Sequence, residues 1–193
     1  VYAVYRSEKM KKVLVPLAQD CEELEAVTII DLLVRAGVQV TTASLDSQKV
    51  ITASRGVQLV AQVTLDSLLN ESFDMVVLPG GQPGSNNLEQ DERILSLLRT
   101  TLAAGGLVAA ICAAPKVLVA AGLLDGRQAT SYPGVIDVHP APGMSYLNQA
   151  VVEDGNIITS KGPGTAMDFT LQLIERLKGR TIRLEVEKAL QRP

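Results

Sequence analysis

Two short runs in this chain, Asp74-Met-Val-Val-Leu78 and Leu107-Val-Ala-Ala-Ile111, are apolar at nearly every position. A strand with one wet face alternates polar and apolar residues; a strand covered on both faces does not. Such runs, bounded by Gly and Pro, imply a sheet with helices packed on each side. The remaining chain keeps the same alternation. Lys12-Val-Leu-Val-Pro-Leu-Ala18 reads as a first strand, residues 22–36 as a helix stopped by Gly37, and residues 38–44 as a second strand. Within the helix, Leu24, Val27, Ile30, Leu33 and Val34 recur near a 3.6-residue period and mark its buried side. Residues 50–63, around Ser54-Arg-Gly56, read as an antiparallel excursion, and residues 65–69 as a short helix. Further helices are expected at about 91–104 and from Ala113 through Ala121. After a stretch rich in Pro and Gly come a strand at 157–160, a long helix to about 177 and a charged helix at about 182–190. Repeated β–α units of this kind give an α/β fold with an open, mostly parallel sheet and right-handed connections.

Composition narrows the partners. Residues 10–193 suit one domain, while residues 1–9 precede Met10-Lys-Lys and read as an upstream or added extension. Aromatic residues are 3% of the chain and Trp is absent, so the core is expected to be Val, Leu, Ile and Ala. A net charge of −3 leaves no basic footprint for nucleic acid, and no apolar run reaches the length of a membrane span. There is no zinc-type cluster of Cys and His, no G-x-G-x-x-G and no P-loop lysine, so neither a metal nor a nucleotide cofactor is expected. The two cysteines, Cys21 and Cys112, can form one bridge in principle, but a reduced thiol at Cys112 and a cytoplasmic setting fit better.

Ligand sites in open α/β sheets gather at the carboxyl ends of strands. Three unusual ends stand out: Gln19-Asp-Cys-Glu-Glu-Leu-Glu25, Pro79-Gly-Gly81 and Cys112. Cys112 falls on a strand-to-helix turn, the geometry of a nucleophile elbow, with Pro115 tolerated in the first helical turn. The partial positive charge of a helix N-terminus favours a thiolate there. A small buried hydrophobe is the alternative reading of the same cysteine. Glu22 and Glu23 suit a helix N-terminus without further role. Glu25 lies closer to the buried side, where a carboxyl beside a thiol has a raised pKa, stays protonated and can shuttle protons. Gly80 and Gly81 either make an ordinary tight turn or, with Ala113, turn their N–H groups into an oxyanion hole. His139 reads as a surface-loop residue, and Ser160-Lys-Gly-Pro-Gly-Thr165 as a sharp turn bordering the cleft or a subunit contact.

Five ordered blocks then resemble the ThiJ/PfpI superfamily, in the branch of the parkinsonism-associated deglycase and its bacterial relatives. They are Glu22-Glu-Leu-Glu25 with Asp31-Leu-Leu-Val-Arg-Ala-Gly37, Ser54-Arg-Gly56, Val76-Val-Leu-Pro-Gly-Gly81, Ala109-Ala-Ile-Cys-Ala-Ala-Pro115 and Thr159-Ser-Lys-Gly-Pro-Gly-Thr165. The resemblance implies a flavodoxin-like three-layer sandwich, usually a homodimer. It makes Cys112 the cysteine of a strained elbow, Glu25 its protonated partner, and Gly81 and Ala113 the backbone donors. Arg35 and Arg55 match basic positions near the dimer interface and cleft. The implied activities are glutathione-independent conversion of methylglyoxal to lactate and removal of early glyoxal adducts from protein side chains. Small aldehydes or glycated proteins are the implied substrates, and an oxidative-stress chaperone role is also implied. A redox sensor working through oxidation of Cys112 is the alternative. His139 does not align with the cleft histidine of some members, so a Cys-His protease does not follow.

Overall fold

The computed structural model describes residues 10–192, and the expectation for residues 1–9 falls outside them. In chain order the elements begin with β1 (Lys12–Leu17), α1 (Glu23–Arg35), β2 (Gln39–Ser44), β3 (Val50–Thr52), β4 (Gln58–Val60) and β5 (Val63–Thr64). They continue with β6 (Met75–Leu78), α2 (Gly84–Gln90), α3 (Glu92–Ala103), β7 (Leu107–Ile111) and α4 (Pro115–Ala120). The last are β8 (Gln128–Ala129), β9 (Ser145–Tyr146), β10 (Val151–Asp154), β11 (Ile157–Ser160), α5 (Ala166–Lys178) and α6 (Arg180–Ala189).

Seven strands form the main sheet in the order β10-β11-β7-β6-β1-β2-β5. Every neighbouring pair is parallel except β10 with β11. The register aligns Leu14 with Val76, and Val76 with Val108. As a result β1, β6 and β7 run side by side, and the ends singled out in the sequence emerge as neighbours from the middle of the sheet. The excursion at 50–63 is a separate antiparallel pair, β3 with β4, while β5 rejoins the main sheet beside β2.

Alternation along each strand divides the core in two. Val13, Val15, Val77, Ala109 and Ile111 face one side, where Ile29 and Leu33 of α1 and Phe169 and Leu173 of α5 close over them. Leu14, Val76, Leu78, Val108 and Ala110 face the other, under Ile94 and Leu98 of α3 and Leu118 of α4. Helices on both faces of a mostly parallel sheet make the expected three-layer α/β arrangement. Among the described residues no helix is long and apolar enough to cross a membrane.

Helix α1 has the expected period, but of the five residues expected on its buried side only Leu33 is fully buried and Ile30 partly so. Its buried residues are Glu23, Glu25, Ala26, Ile29, Leu32 and Leu33. Leu24, Val27 and Val34 point outward and are 52%, 48% and 56% exposed. Two interleaved apolar stripes are present on this helix, and the one carrying Ala26, Ile29, Leu32 and Leu33 is the one that meets the sheet. Elsewhere α2 (GSNNLEQ) has no apolar period to reveal it: Leu88 is its one buried large side chain. Helix α4 starts at Pro115 rather than Ala113, so Ala113 and Ala114 belong to the turn.

Candidate active site

The Cys112 elbow is set by its backbone. Its φ is 64°, in the left-handed region that a non-glycine residue occupies at a cost of about 1–3 kcal/mol. Bonds on both sides impose this conformation. The Cys112 N–H donates to Ser160 O at 3.0 Å, and the Tyr132 N–H donates to Cys112 O at 2.8 Å. Strand β7 therefore runs into the elbow, β11 holds it, and the Ser160–Thr165 turn borders the site. That turn is itself tied by the Ser160 and Thr165 hydroxyls, 2.7 Å apart, and by the Gly162 N–H donating to Thr165 Oγ1 at 3.1 Å.

Glu25 reaches the same point from α1. It is fully buried, and its Oε2 accepts the Gly80 N–H at 2.8 Å. Its Oε1 is enclosed with no hydrogen-bond partner, while the carboxyl interacts side chain to side chain with Cys112. Burial pushes the Glu25 carboxyl up to about 7, against the hydrogen bonds of Gly80 and Cys112 that favour its charged form. This is the direction expected of a carboxyl in such a position.

For the thiol, the pull of nearby N–H groups toward a thiolate is opposed by its enclosure. Burial first, and then the Glu25 carboxylate, push Cys112 up to about 12, although N–H groups of Gly81 and Ala113 pull the other way. The physical reason is that the two acids share one enclosure, and a second negative charge there is costly. With α4 beginning three residues later, its N-terminus is not at the sulfur. A thiolate becomes favourable at this site when the proton sits on Glu25, because the repulsion is then replaced by a donor.

The glycines divide their labour in a way the sequence does not reveal. A Cβ on Gly80 would lie 2.6 Å from Cys112 Cβ and 2.8 Å from Glu25 Oε2, so only glycine fits between the two acids. Its N–H is already engaged by Glu25, which corrects the expectation that Gly80 donates to an oxyanion. Gly81 has φ 101° and packs on the Asp20–Glu22 backbone, and its N–H and that of Ala113 bear on the Cys112 sulfur. A substrate oxygen bound next to that sulfur meets the same pair of donors.

Other candidates fall outside this pair. Cys21 is fully buried and unbridged, and burial together with the Glu23 carboxylate pushes it up to about 12. Glu22 and Glu23 do more than sit at a helix end. Both accept from Ser54 Oγ, at 3.1 and 3.0 Å, and Glu23 also takes the Arg55 N–H at 2.8 Å, anchoring the β3–β4 turn on α1. Arg35 pairs with Asp31 within α1 at 2.6 Å. His139 lies on the surface beside Lys116 and Gln82, in a separate cavity. One site residue escapes sequence reasoning altogether. Tyr132, bonded to the Cys112 carbonyl and 53% exposed, lays its ring over Gly162, where a Cβ would come within 3.2 Å of Cδ2. The only signal for it is an aromatic residue at the end of a weak, short strand pattern. Among the described residues no group of three or more His, Cys, Asp or Glu is disposed to hold a metal ion.

The DJ-1/PfpI family model matches residues 11–176 of this chain. Protein dj-1beta of Drosophila melanogaster is 43% identical over 181 residues, covering 93% of this chain and 96% of that protein. The crystal structure of Drosophila melanogaster DJ-1beta superposes with a TM-score of 0.91, covering 94% of this chain and 98% of that one. The glutathione-independent glyoxalase DJR-1.2 of Caenorhabditis elegans is 39% identical over 173 residues, covering 90% of this chain and 91% of that protein.

Proposed function

Because this chain belongs to the DJ-1/PfpI family, we propose that it is a stress enzyme of the DJ-1 type that turns methylglyoxal into lactate without glutathione. The observation that carries this reading is the pairing of Cys112 with the enclosed carboxyl of Glu25 across Gly80. One proton shared by a thiol and a carboxyl equips a site both to attack an aldehyde and to move the protons that follow.

The steps balance without an external oxidant or reductant. Cys112 Sγ adds to the aldehyde carbon, and the thiol proton reaches the aldehyde oxygen by way of Glu25, giving a hemithioacetal. The oxygen is held by the Gly81 and Ala113 N–H groups. Glu25 then takes the proton from that carbon and delivers one to the neighbouring keto carbon. The hydroxyl proton passes to the former keto oxygen, and the adduct becomes a lactate thioester. Water cleaves the thioester and restores the thiol, so methylglyoxal plus water has become lactic acid. In the deglycase reaction the adduct's bond to the protein side chain breaks first, the leaving thiol or amine taking its proton from the adduct's own hydroxyl group, and the aldehyde carbon so freed meets the same sulfur.

The reading also includes a homodimer in a cytoplasmic setting. The outward stripe of Leu24, Val27 and Val34, with Val50, Val57 and Val60 on the adjoining β3–β4 pair, is an apolar surface suited to a second copy. A redox-sensor or chaperone role is the second reading. It is favoured by the Gly81 and Ala113 donors and the unpartnered Glu25 Oε1, which frame the sulfur and suit an oxidised sulfinate. Lactate assay of purified protein without glutathione, beside a folded Cys112→Ser variant, decides between them. Many turnovers per subunit, lost in the variant, support the enzyme; lactate no higher than in the variant leaves the sensor.

A further inference from the structure

The two backbone donors at the elbow, the N–H groups of Gly81 and Ala113, come from different segments. Gly81 leads into α2, whose first turn is tied back to it by the Ser85 N–H donating to Gly81 O at 2.9 Å. Ala113 leads into α4, tied in the same way by the Lys116 N–H donating to Ala113 O at 3.4 Å. The spacing of the donors therefore follows the spacing of the two helices. Packing gives these helices little hold on each other. They are seven and six residues long, and Leu88 is the one large side chain that α2 buries in the layer of Val117 and Leu118. A cavity of about 350 Å3, lined by Gln82, Glu89, Lys116, Val119, Val135 and His139, opens between residues of both.

One side chain crosses from helix to helix. Lys116 Nζ on α4 lies 3.2 Å from Glu89 Oε2 and also donates to Asn86 Oδ1, both on α2. The two charges stand against their own helices. Lys116 sits in the first turn of α4 and Glu89 in the last turn of α2, the ends where the macrodipole of each helix opposes them. Neither helix gains from the charge it carries, so the benefit lies in the pairing. At 20% exposure the ammonium is screened less by solvent than a surface cation.

We propose that Lys116 is a positioning residue: by clamping α4 to α2 through Glu89 and Asn86, it sets the separation of the Gly81 and Ala113 N–H groups that hold the Cys112 sulfur and a substrate oxygen beside it. Its effect on rate rests on the aldehyde-directed reading of Cys112; its effect on the thiol itself does not. Loosening the clamp weakens two donors that favour the thiolate, so the thiol keeps its proton to higher pH. A direct effect of charge has the opposite signature at Glu89. Removing that carboxylate eases ionisation of a nearby thiol by Coulomb's law, whereas loss of the clamp hinders it.

Alkylation of Cys112 against pH, beside kcat and KM for lactate formation, tests this in the intact protein for Lys116→Met, Glu89→Ala and Lys116→Arg. Lys116→Met and Glu89→Ala are each expected to move the alkylation profile up by about one pH unit, with Glu25 untouched. Both are expected to lower kcat about tenfold with KM within about twofold, a smaller loss than the roughly 10²–10³-fold of removing a whole oxyanion donor. Lys116→Arg, which keeps the ion pair, is expected to restore both readouts. Profiles that stay in place, or that move down in Glu89→Ala, overturn the proposal. So does an upward shift in Lys116→Arg equal to that in Lys116→Met, or an unchanged kcat in an active protein. If the wild type forms no lactate, the aldehyde reading falls while the alkylation profiles still decide the role of Lys116, so the two failures are distinguishable. Lys116→Met and Glu89→Ala remove opposite ends of one clamp, and either alone suffices if its circular dichroism matches wild type.

Discussion

At the scale of single residues, the proposed chemistry turns on one proton shared between Cys112 and Glu25. Glu25 holds its proton at about 7 in the folded chain against 4.5 for an unperturbed carboxyl. Below the lower value both folded and unfolded chains are protonated and the burial of Glu25 is uncharged. As the pH rises through about 7 the folded chain must ionise an enclosed carboxyl, and the stability tied to that proton is lost. A Glu25→Gln variant, which keeps an acceptor for the Gly80 N–H, is therefore expected to be more stable than wild type above neutral pH. The advantage is on the order of 3 kcal/mol at most, vanishing toward pH 4; urea unfolding at several pH values checks it. The same proton governs reactivity. Alkylation of Cys112 in wild type is expected to rise as the pH passes about 7, where the pair loses its first proton, and that step is expected to be missing in Glu25→Gln. A single step near the ordinary thiol value of about 8.5, identical in both proteins, would contradict the pairing. Chemical identity at these positions is legible in the sequence, because a cysteine at a strand end and a glutamate near the buried side of a helix are local facts. The raised carboxyl of Glu25 follows from them too, but the raised thiol of Cys112 does not. It depends on α1 and the β7 turn sharing one enclosure, which no local spacing encodes.

Between residues and fold, the turns carry the site. Gly80 has no room for a Cβ between Cys112, Glu25 and the Ile111 carbonyl, the nearest contacts being 2.6–2.8 Å. Gly80→Ala is expected to cost about 1–3 kcal/mol of stability and to abolish lactate formation by prising the two acids apart. Circular dichroism melting beside the lactate assay checks both. The elements themselves were readable in proportion to their pattern. β6 and β7, apolar throughout, and α5, with a clean helical period ending before Gly179, stand where the sequence puts them. α2 is nearly all polar, and β8 and β9 are two residues each, too short for any period. α1 teaches a different lesson. Its period is plain, but both of its stripes are apolar enough to be buried, and the choice between Ala26-Ile29-Leu33 and Leu24-Val27-Val34 is made by what packs against it.

Over the whole molecule, that choice leaves an apolar surface that a monomer would expose. Leu24→Glu with Val27→Glu is expected to halve the mass measured by light scattering while leaving Cys112 alkylation in place, since neither side chain faces the elbow. Unchanged mass would remove this face as the dimer contact. The core supports the site from beneath: Phe169, fully buried in the layer that α1 and α5 close over one face of the sheet, anchors α5 just after the Ser160–Thr165 turn. Phe169→Ala is expected to cost about 3–5 kcal/mol, visible as a lowered urea midpoint, with the Cys112 pH profile retained in the fraction that folds. The three-layer order and the convergence of three strand ends follow from the alternation of elements, so they were legible early. The rim residue Tyr132 was not, because its role comes from a loop folding back onto Cys112 rather than from any repeat.

The proposed reaction requires Cys112 to form a covalent bond to the aldehyde carbon and Glu25 to carry the adduct onward to a thioester. Mass spectrometry of the Cys112 peptide, acid-quenched during turnover of methylglyoxal, tests it most directly. A lactoyl thioester on Cys112 in wild type, absent in Glu25→Gln, is the predicted result; lactate accumulating while Cys112 stays unmodified at every quench time, or forming equally well in Glu25→Gln, would contradict it.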